Sequence, residues 1–238
     1  MKRTVLVTGG GRGLGHCIVR RHFEMGDRVF ALDRRITDEL GKMAQDADGI
    51  TALECDISSA ESVAKAAEPI LKAVSRLDIV YNVAGIYRFE DKVNLAETDL
   101  DLCMYMYSVN AVGALRVVRA VWPLIQDGPV IINISSEAGS IGACKRDGEY
   151  AYCMSKAALN MGSKILQNEF RKMKNTGRVI NLHPGWLRTV MGGPGAAASD
   201  RSVAPEDSAR DIVGIALDAG SFPEDLMYME HTREPLPW

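Results

Sequence analysis

Close to its amino terminus the chain passes from a short apolar run, Thr4-Val5-Leu6-Val7, into a segment at 8–15 that contains five glycines. Residues 16–25 then follow the pattern of an amphipathic helix. A strand, a glycine turn and a helix in this order make a cradle for a pyrophosphate, because glycine lets the backbone approach the phosphates and the helix N-terminus offers free N–H groups. The next apolar run ends at Asp33, where a carboxylate can reach a ribose. The pattern predicts a dinucleotide-binding βαβ unit.

The rest of the chain continues to alternate strand and helix patterns. Several strand patterns, such as Val130-Ile131-Ile132-Asn133-Ile134, are nearly continuous apolar runs, which is expected where both faces of a sheet are covered. We therefore predict a single-domain α/β protein over residues 1–238 with a Rossmann-type, doubly wound parallel sheet. Helices are predicted at 59–75, 98–126 and 151–174, and Pro123 should bend or end the second. Strands are predicted near 3–8, 28–33, 50–55, 78–83, 129–134, 178–183 and 225–229.

Composition agrees with this class of protein. A chain of 238 residues, 47% hydrophobic and 25% charged, is long enough for one large core. The formal net charge of −3 is spread without long runs of one sign, so neither nucleic acid nor a membrane surface is predicted as a partner. The five cysteines have no disulfide-framework spacing, so a cytoplasmic location is expected. The four histidines form no ligand pair, and no metal site is predicted.

A second candidate site lies in the latter half of the chain. Tyr152 and Lys156 are four residues apart in a helix-prone run, sixteen residues after Ser136. Residues i and i+4 share a helix face, so the ammonium can lie beneath the phenol and favour its ionised form. A lone tyrosine and lysine at this spacing are more often surface residues, but together with the glycine turn they predict a proton-transfer site.

Seven motifs carry a family resemblance: TGxxxGxG at 8–15, Asp56, Asn82-Val83-Ala84-Gly85, Asn110, Ser136, YxxxK at 152–156, and Pro184-Gly185 with Thr189. In this order they resemble the short-chain dehydrogenase/reductase family over nearly the whole chain, and the ending resembles its small carbonyl-reductase-like members. The resemblance implies that Tyr152 exchanges a proton with the carbonyl oxygen while hydride passes to or from a nicotinamide. Ser136, in preference to its neighbour Ser135, would hydrogen-bond that oxygen. Lys156 would lower the tyrosine pKa and bind the nicotinamide ribose, and Asn110 would hold a water.

The resemblance also implies a set of cofactor contacts at the carboxyl ends of the strands. The pyrophosphate turn is assigned to Gly9, Arg12, Gly13, Leu14 and Gly15, and the adenosine contacts to Asp33, Arg34, Asp56 and Ile57. The edge of the next strand is assigned to Asn82, Ala84 and Gly85. The nicotinamide contacts are assigned to Pro184, Gly185, Leu187 and Thr189. Two of these assignments have a structural alternative of equal weight. Asn82 could tie adjacent strands, and Pro184-Gly185 could form a turn.

Charges near the ribose give conflicting predictions for the cofactor. The Asp33 carboxylate can accept both ribose hydroxyls of NAD(H) but would repel the 2′-phosphate of NADP(H). Arg12 and Arg34 favour NADP(H), because family members that use it often have a basic residue at one of these places. Since Coulomb repulsion near Asp33 is large, NAD(H) is predicted to be preferred, with NADP(H) possible.

A nicotinamide-dependent enzyme that interconverts a small-molecule alcohol and a carbonyl compound is therefore the leading prediction. A non-catalytic dinucleotide sensor and a sugar-nucleotide epimerase or dehydratase are the alternatives. The Gly/Ala-rich segment 192–199 is either a mobile lid or a plain loop. A homodimer or homotetramer is expected through the helices at 98–126 and 151–174, whose apolar residues are Leu102, Met106, Leu115, Val118, Val121, Leu159, Met161, Ile165 and Leu166.

Overall fold

The computed structural model describes residues 2–46, 48–225 and 227–238. Within them, seven parallel strands form one sheet in the spatial order β3-β2-β1-β4-β5-β6-β7. The strands are β1 (Thr4–Thr8), β2 (Arg28–Asp33), β3 (Ile50–Glu54), β4 (Ile79–Asn82), β5 (Val130–Ile134), β6 (Arg178–His183) and β7 (Met227–Glu230). The chain first winds outward from β1 to β3 and then returns to continue on the other side, so the order reverses between β1 and β4. The predicted doubly wound parallel sheet is confirmed, with each strand close to its predicted place.

Helices cover both faces of this sheet. They are α1 (Gly13–Glu24), α2 (Asp38–Asp46), α3 (Ala60–Ala73), α4 (Leu100–Tyr107), α5 (Gly113–Ala120), α6 (Tyr150–Lys172), α7 (Gly193–Ala197) and α8 (Pro205–Leu217). The predicted helix at 98–126 is interrupted by a π-helical turn at Ser108–Val112, between α4 and α5. It ends at Ala120, and Pro123 lies in the short 3-10 turn that follows.

Strand side chains alternate between two apolar cores. In β1, Val5 and Val7 join the core beneath α1 and α8, whereas Leu6 joins the core beneath α3, α5 and α6. All three are completely buried. Because both faces need apolar side chains, the strands read as continuous apolar runs.

The register of β4, β5 and β6 places three amides side by side. Asn82 pairs with Asn133, and Asn133 pairs with Asn181. Asn82 Nδ2 donates to Asn133 Oδ1 at 2.8 Å, and Asn133 Nδ2 donates to Asn181 Oδ1 at 3.1 Å. This row crosses the sheet near the carboxyl ends of its strands, where the candidate site residues gather.

Candidate active site

The glycine turn between β1 and α1 has the backbone that a phosphate cradle needs. Gly9 and Gly13 have φ of 70° and 55°, in the left-handed region that favours glycine. A Cβ on Gly15 would lie 2.0 Å from the Gly9 carbonyl oxygen, so only glycine fits there. The helix that follows has no side-chain cap and no acidic residue in its first turn. Its first N–H groups and positive dipole end therefore fit the pyrophosphate of a dinucleotide.

The two other predicted members of this turn differ in burial. Arg12 is exposed, and the Leu14 side chain is buried in the apolar core. Leu14 could therefore contribute its backbone N–H but not its side chain.

Asp33 is fastened to the glycine turn at the end of β2. Its Oδ2 accepts a hydrogen bond from Gly11 N at 2.9 Å, and its Oδ1 accepts a long one from Arg35 N at 3.4 Å. Arg34 is exposed, and no ion pair joins it or Arg12 to Asp33 among the described residues. The carboxylate is thus held beside the glycine turn, and its contact with a ribose stays a prediction.

The predicted adenine contacts follow β3. Asp56 Oδ1 accepts from both the N–H and the hydroxyl of Ser58, and the hydroxyl hydrogen bond is the main reason that the pKa of Asp56 is lowered. The Ile57 side chain packs in the core against Gly113. Its carbonyl oxygen accepts from Arg116 at 3.2 Å, so the backbone of this turn is held between β3 and α5.

Thr8, the last residue of β1, holds the turn after β4, a role that was not predicted from the sequence. Its Oγ1 accepts from Val83 N at 3.0 Å and from Ala84 N at 3.1 Å, which joins the turn after β4 to the end of β1. Ala84 lies against Gly9, and a Cβ on Gly85 would be 3.7 Å from Lys156 Nζ. The TG of the first motif was the signal that could have identified Thr8.

Asn82 shows the structural role that was one of its two alternatives, and Gly185 has the left-handed backbone that a turn can use. Asn82 ties β4 to β5 through its amide, although its own Oδ1 is buried without a partner among the described residues. Gly185 has φ of 81°, and Pro184 O accepts from Ser208 of α8 at 2.8 Å.

The segment after Gly185 crosses over to the glycine turn. Leu187 pairs with Val203 in an isolated bridge. The Thr189 methyl group would be 3.4 Å from a Cβ on Gly13. Thr189 thus lies beside the glycine turn, and its cofactor contact stays a prediction.

Tyr152, Lys156 and Ser136 lie together at the centre of this edge. Lys156 Nζ is 5.7 Å from the centroid of the Tyr152 ring and donates to Ile134 O, at the end of β5, at 2.7 Å. Ser135 instead donates to Asn160 at 2.7 Å, within the buried amide network. Of the two adjacent serines, Ser136 is therefore the one that faces Tyr152.

Burial dominates the titration of this pair. It raises the pKa of Tyr152 to about 12, although hydrogen bonding with Ser136 acts in the opposite direction. It also lowers the pKa of the Lys156 ammonium to about 8. The lowering of the phenol pKa predicted from the lysine is thus outweighed by burial in the chain by itself, which is a correction to that expectation.

Asn110 lies in the π-helical turn and is fully engaged by protein groups. Its Nδ2 donates to Ile86 O and to Ser155 Oγ, both at 2.9 Å, and its Oδ1 accepts from Ile86 N at 2.7 Å. Its amide joins the turn after β4 to α6, beside the tyrosine and lysine. A π-helical turn at a functional site is a common arrangement. The predicted water stays a prediction, but both Nδ2 hydrogens already have partners.

A charged cluster borders Ser136 that the sequence analysis did not identify as a unit. Ser136 Oγ donates to Glu137 Oε2 at 2.6 Å, and Arg146 forms close ion pairs with both Glu137 and Glu149. Burial raises the pKa of Glu137, but the hydrogen bond from Ser136 and the charges of His183 and Arg146 outweigh it, so the net shift is downward. Folding brings Ser136 and Glu137, which follow β5, to Arg146 and Glu149, which lie in the loop before α6.

The loop after β4 supplies a remote cap for α6. Asp91 is buried, and its carboxylate accepts from Ala151 N at 3.1 Å and from Tyr152 N at 2.8 Å. Glu149, the residue before the helix, has φ of 63° and gives no side-chain cap. Asp91 therefore satisfies the first N–H groups of the helix that carries Tyr152.

The segment 192–199 is neither a plain loop nor free of contacts. It contains the short helix α7, whose Ala196 is completely buried. A Cβ on Gly193 would be 2.6 Å from the Phe89 ring, and Trp186 Nε1 donates to Gly192 O at 3.0 Å. The Gly/Ala composition allows these aromatic rings to lie directly on the backbone.

The described parts of the chain lack two other kinds of feature. No cluster of three His, Cys, Asp or Glu side chains there could hold a metal ion. None of the helices in these parts is long and apolar enough to cross a membrane.

Known proteins are similar to this chain in sequence and in fold. The model of the short chain dehydrogenase family matches residues 3–199. A Rhodococcus sp. (strain AD45) protein, 1-hydroxy-2-glutathionyl-2-methyl-3-butene dehydrogenase, is 33% identical over 187 residues, which are 78% of each chain. The chain therefore belongs to the short-chain dehydrogenase/reductase family, and it is an NAD(P)-dependent oxidoreductase of that family.

Solved structures extend the likeness to the whole chain. The NADPH-bound carbonyl reductase from chicken fatty liver superimposes with a TM-score of 0.88 at 26% identity, covering 100% of this chain and 99% of that one. A carbonyl reductase from Pseudomonas aeruginosa PAO1 in complex with NADP gives a TM-score of 0.81 at 29% identity and covers 100% of both chains.

We expect Asp91→Ala to reduce both stability and turnover. Leaving two buried N–H groups of α6 without an acceptor should cost about 2 kcal/mol, and the start of the helix that carries Tyr152 should move. Urea unfolding and kcat measure the two effects. The matched control is Asp99→Ala, because Asp99 caps α4 on the surface through Asp101 N and Leu102 N. It should cost about 1 kcal/mol and leave kcat unchanged. Equal kcat in the two variants would contradict this role for Asp91.

Proposed function

We propose that this protein interconverts a secondary alcohol and a ketone or aldehyde by hydride transfer, with Tyr152 as the general acid and base. The observation that carries the proposal is that Tyr152, Lys156 and Ser136 meet at the same sheet edge as the glycine cradle. The nicotinamide cofactor supplies the hydride acceptor and donor when bound. The uncapped N-terminus of α1 and the left-handed glycines fit its pyrophosphate.

Each residue has one task in this reaction. In reduction, Tyr152 donates its proton to the carbonyl oxygen, and its high pKa keeps the phenol protonated for that step. Ser136 stabilises the charge that develops on the same oxygen. Lys156 lies beneath the phenol, where its charge supports the phenolate that is left. In oxidation the same groups act in reverse.

The rival functions make different predictions. A dinucleotide sensor needs the cradle but has no need of Tyr152, Lys156 or Ser136, and all three are present and adjacent. An epimerase or dehydratase would normally show TGxxGxxG spacing and a longer C-terminal region. A panel of ketones, aldehydes and alcohols, followed by the absorbance of the reduced nicotinamide, tests the proposal. Turnover of any member excludes the sensor, whereas none over the whole panel would oppose the oxidoreductase.

The choice between the two nicotinamide cofactors has support on both sides. Two solved neighbours contain NADP(H), and that likeness favours NADP(H) over NAD(H). Their identity to this chain is below 30%, however, and the residue at the predicted ribose position is Asp33. A carboxylate about 4 Å from a phosphate oxygen is repelled by about 4 kcal/mol per pair of unit charges at an effective dielectric near 20. Arg12 and Arg34 are exposed and could offset this only by closing on the phosphate. We therefore propose NAD(H) against the precedent of the neighbours.

Tyr152→Phe should abolish turnover while cofactor binding stays nearly intact. The hydroxyl exchanges the proton, whereas the ring, which meets Tyr87 edge-on at 5.0 Å, survives the change. General acid–base groups typically contribute about 10²–10⁴-fold, so activity within a few-fold of the parent would refute the role. Lys156→Ala should instead reduce both the rate and the affinity for the cofactor. Steady-state kinetics and cofactor titration separate the two variants.

The cofactor prediction is a preference for NAD(H) of about tenfold in kcat/KM, equivalent to ~1.4 kcal/mol. Measurement of kcat/KM with NADH and NADPH on one substrate decides it, and an NADPH value equal to or above that for NADH would overturn it. Asp33→Ser should shift the ratio toward NADP(H) whichever cofactor the parent prefers, because it removes the charge but keeps a hydroxyl near the ribose.

We expect a homodimer or homotetramer, but through fewer residues than the helix patterns indicated. Five of the nine apolar residues expected there are buried in the chain's own core: Met106, Val118, Val121, Leu159 and Leu166. Leu115, Met161 and Ile165 are exposed, and Leu115 packs beside Gly162, so they form one surface with Met154. Such an apolar patch is typical of an interface.

Light scattering at micromolar concentration tests this assembly. A mass of 26.0 kDa would remove it, whereas a multiple of that mass is expected. Ile165→Lys should then lower the mass, because it places a charge in the apolar patch. Leu95→Lys, on an equally exposed leucine of the loop before α4, should not. The cytoplasm stays the predicted location.

A further inference from the structure

The Ser136 hydroxyl has a carboxylate partner before any substrate arrives. Ser136 Oγ lies 2.6 Å from Glu137 Oε2, a strong hydrogen bond in which the hydroxyl donates to a charged acceptor. A serine hydroxyl has a single hydrogen. While Glu137 takes it, Ser136 can only accept at the reacting oxygen, yet the proposed reaction needs Ser136 to donate there in the reductive direction.

The same Glu137 carboxylate also pairs with Arg146. Its guanidinium pairs with Glu137 Oε1 on one side and with Glu149 Oε2 on the other. The Ser136 backbone is fixed independently, because Tyr228 OH donates to Ser136 O at 2.5 Å. The backbone of Ser136 is therefore fixed, and the charges of Glu137 and Arg146 can change only the direction in which its hydroxyl hydrogen points.

We propose that Glu137 and Arg146 are a positioning pair that sets the direction of the Ser136 hydroxyl and the charge next to Tyr152, and hence the pH at which Tyr152 exchanges its proton. This inference rests on the proposed role of Tyr152. Neither residue of the pair is asked to touch substrate.

The negative charge of Glu137 and the positive charge of Arg146 should shift the pKa of Tyr152 in opposite directions. A carboxylate near the phenol disfavours the phenolate, and a guanidinium favours it. In agreement with this, the charge of Glu137 raises the pKa of Tyr152 and that of Arg146 lowers it. Removing Glu137 should therefore make ionisation easier, and removing Arg146 should make it harder.

Other titratable and charged groups also surround the phenol, and the variants leave them in place. They are Lys156 and Cys153 on α6, Tyr87 and Asp91 from the loop after β4, Glu149 before α6 and His183 at the end of β6. His183 Nδ1 is 3.5 Å from Glu137 Oε2, and burial lowers the pKa of this histidine, although the charge of Glu137 acts in the opposite direction.

The experiment compares the pH dependence of kcat for alcohol oxidation, which rises as Tyr152 ionises. Glu137→Gln should move this rise to lower pH by about one unit, and Arg146→Gln should move it to higher pH by a similar amount, about tenfold in rate at a fixed pH below the pKa. Arg146→Lys keeps the charge and should stay near the parent. KM should change less than about threefold in all variants, because binding contacts are intact.

Two controls separate the possible failures. Glu90→Gln removes an exposed carboxylate that has no ion pair in the described chain, and it should leave the pH dependence unchanged. The Tyr152 ring can also be titrated directly by NMR of isotope-labelled tyrosine, with Tyr152→Phe assigning its signal, so the test does not depend on turnover.

The outcomes are then distinct. Opposite displacements of the Tyr152 signal in Glu137→Gln and Arg146→Gln support the pair, whether or not a substrate has been found. Displacements in the same direction, or none, overturn it. If turnover in the parent survives Tyr152→Phe, the proposed function fails instead, whatever the pair does. A purely structural role would lower kcat at every pH and leave the position of the rise unchanged.

Discussion

A stripe of buried polar side chains fixes α6 against the sheet, and the candidate site depends on it. Lys156, Asn160 and Ser163 are buried and lie at spacings of four and three on one helix face, with the half-buried Tyr152 one turn before them. Asn160 and Ser163 bond to the amide row of the strands, with Ser163 accepting from Asn133 at 2.9 Å. A buried amide left unpaired costs about 1–3 kcal/mol, so any rotation or slide of α6 breaks several such bonds at once. The position of the tyrosine is thereby set by polar pairing that extends across the centre of the sheet.

The same burial that positions the pair opposes its ionisation. With the Tyr152 pKa raised to about 12, the chain by itself holds the phenol as an acid, the form that reduction of a carbonyl needs. Oxidation needs the phenolate and therefore requires positive charge to be added beside the ring. Lys156 can supply only part of this positive charge. Its ammonium donates to Ile134 O in a buried position, and that burial lowers its own pKa to about 8. The balance between reduction and oxidation is thus sensitive to charges near Tyr152, which the spacing of Tyr152 and Lys156 in the sequence does not reveal.

Local chemistry decided what could be predicted from the sequence. Glycines after a strand predict a turn whose backbone can approach a phosphate, and apolar runs predict a sheet covered on both faces. The glycine turn and the fold could therefore be predicted from the sequence. Asp91 could not be predicted as a cap for α6, since sixty residues separate donor and acceptor and the contact exists only after folding. Helix periodicity also cannot distinguish the chain's own core from an outer apolar face. Leu159 and Met161 show this, because the first is buried and the second is exposed.

One of the three non-glycine residues with a left-handed φ in the described parts of the chain lies where α6 begins. Glu149 adopts φ of 63°, which costs a non-glycine residue about 1–2 kcal/mol. Its N–H donates to Asp91 O at 2.8 Å, and its carboxylate holds both Tyr87 and Arg146. These bonds offset the strain, and two of them come from the loop after β4 that also contacts the Tyr152 ring. The start of the helix is therefore held by the same side chains that border the reacting phenol, so a substitution that changes the charge there also changes what keeps Glu149 in place.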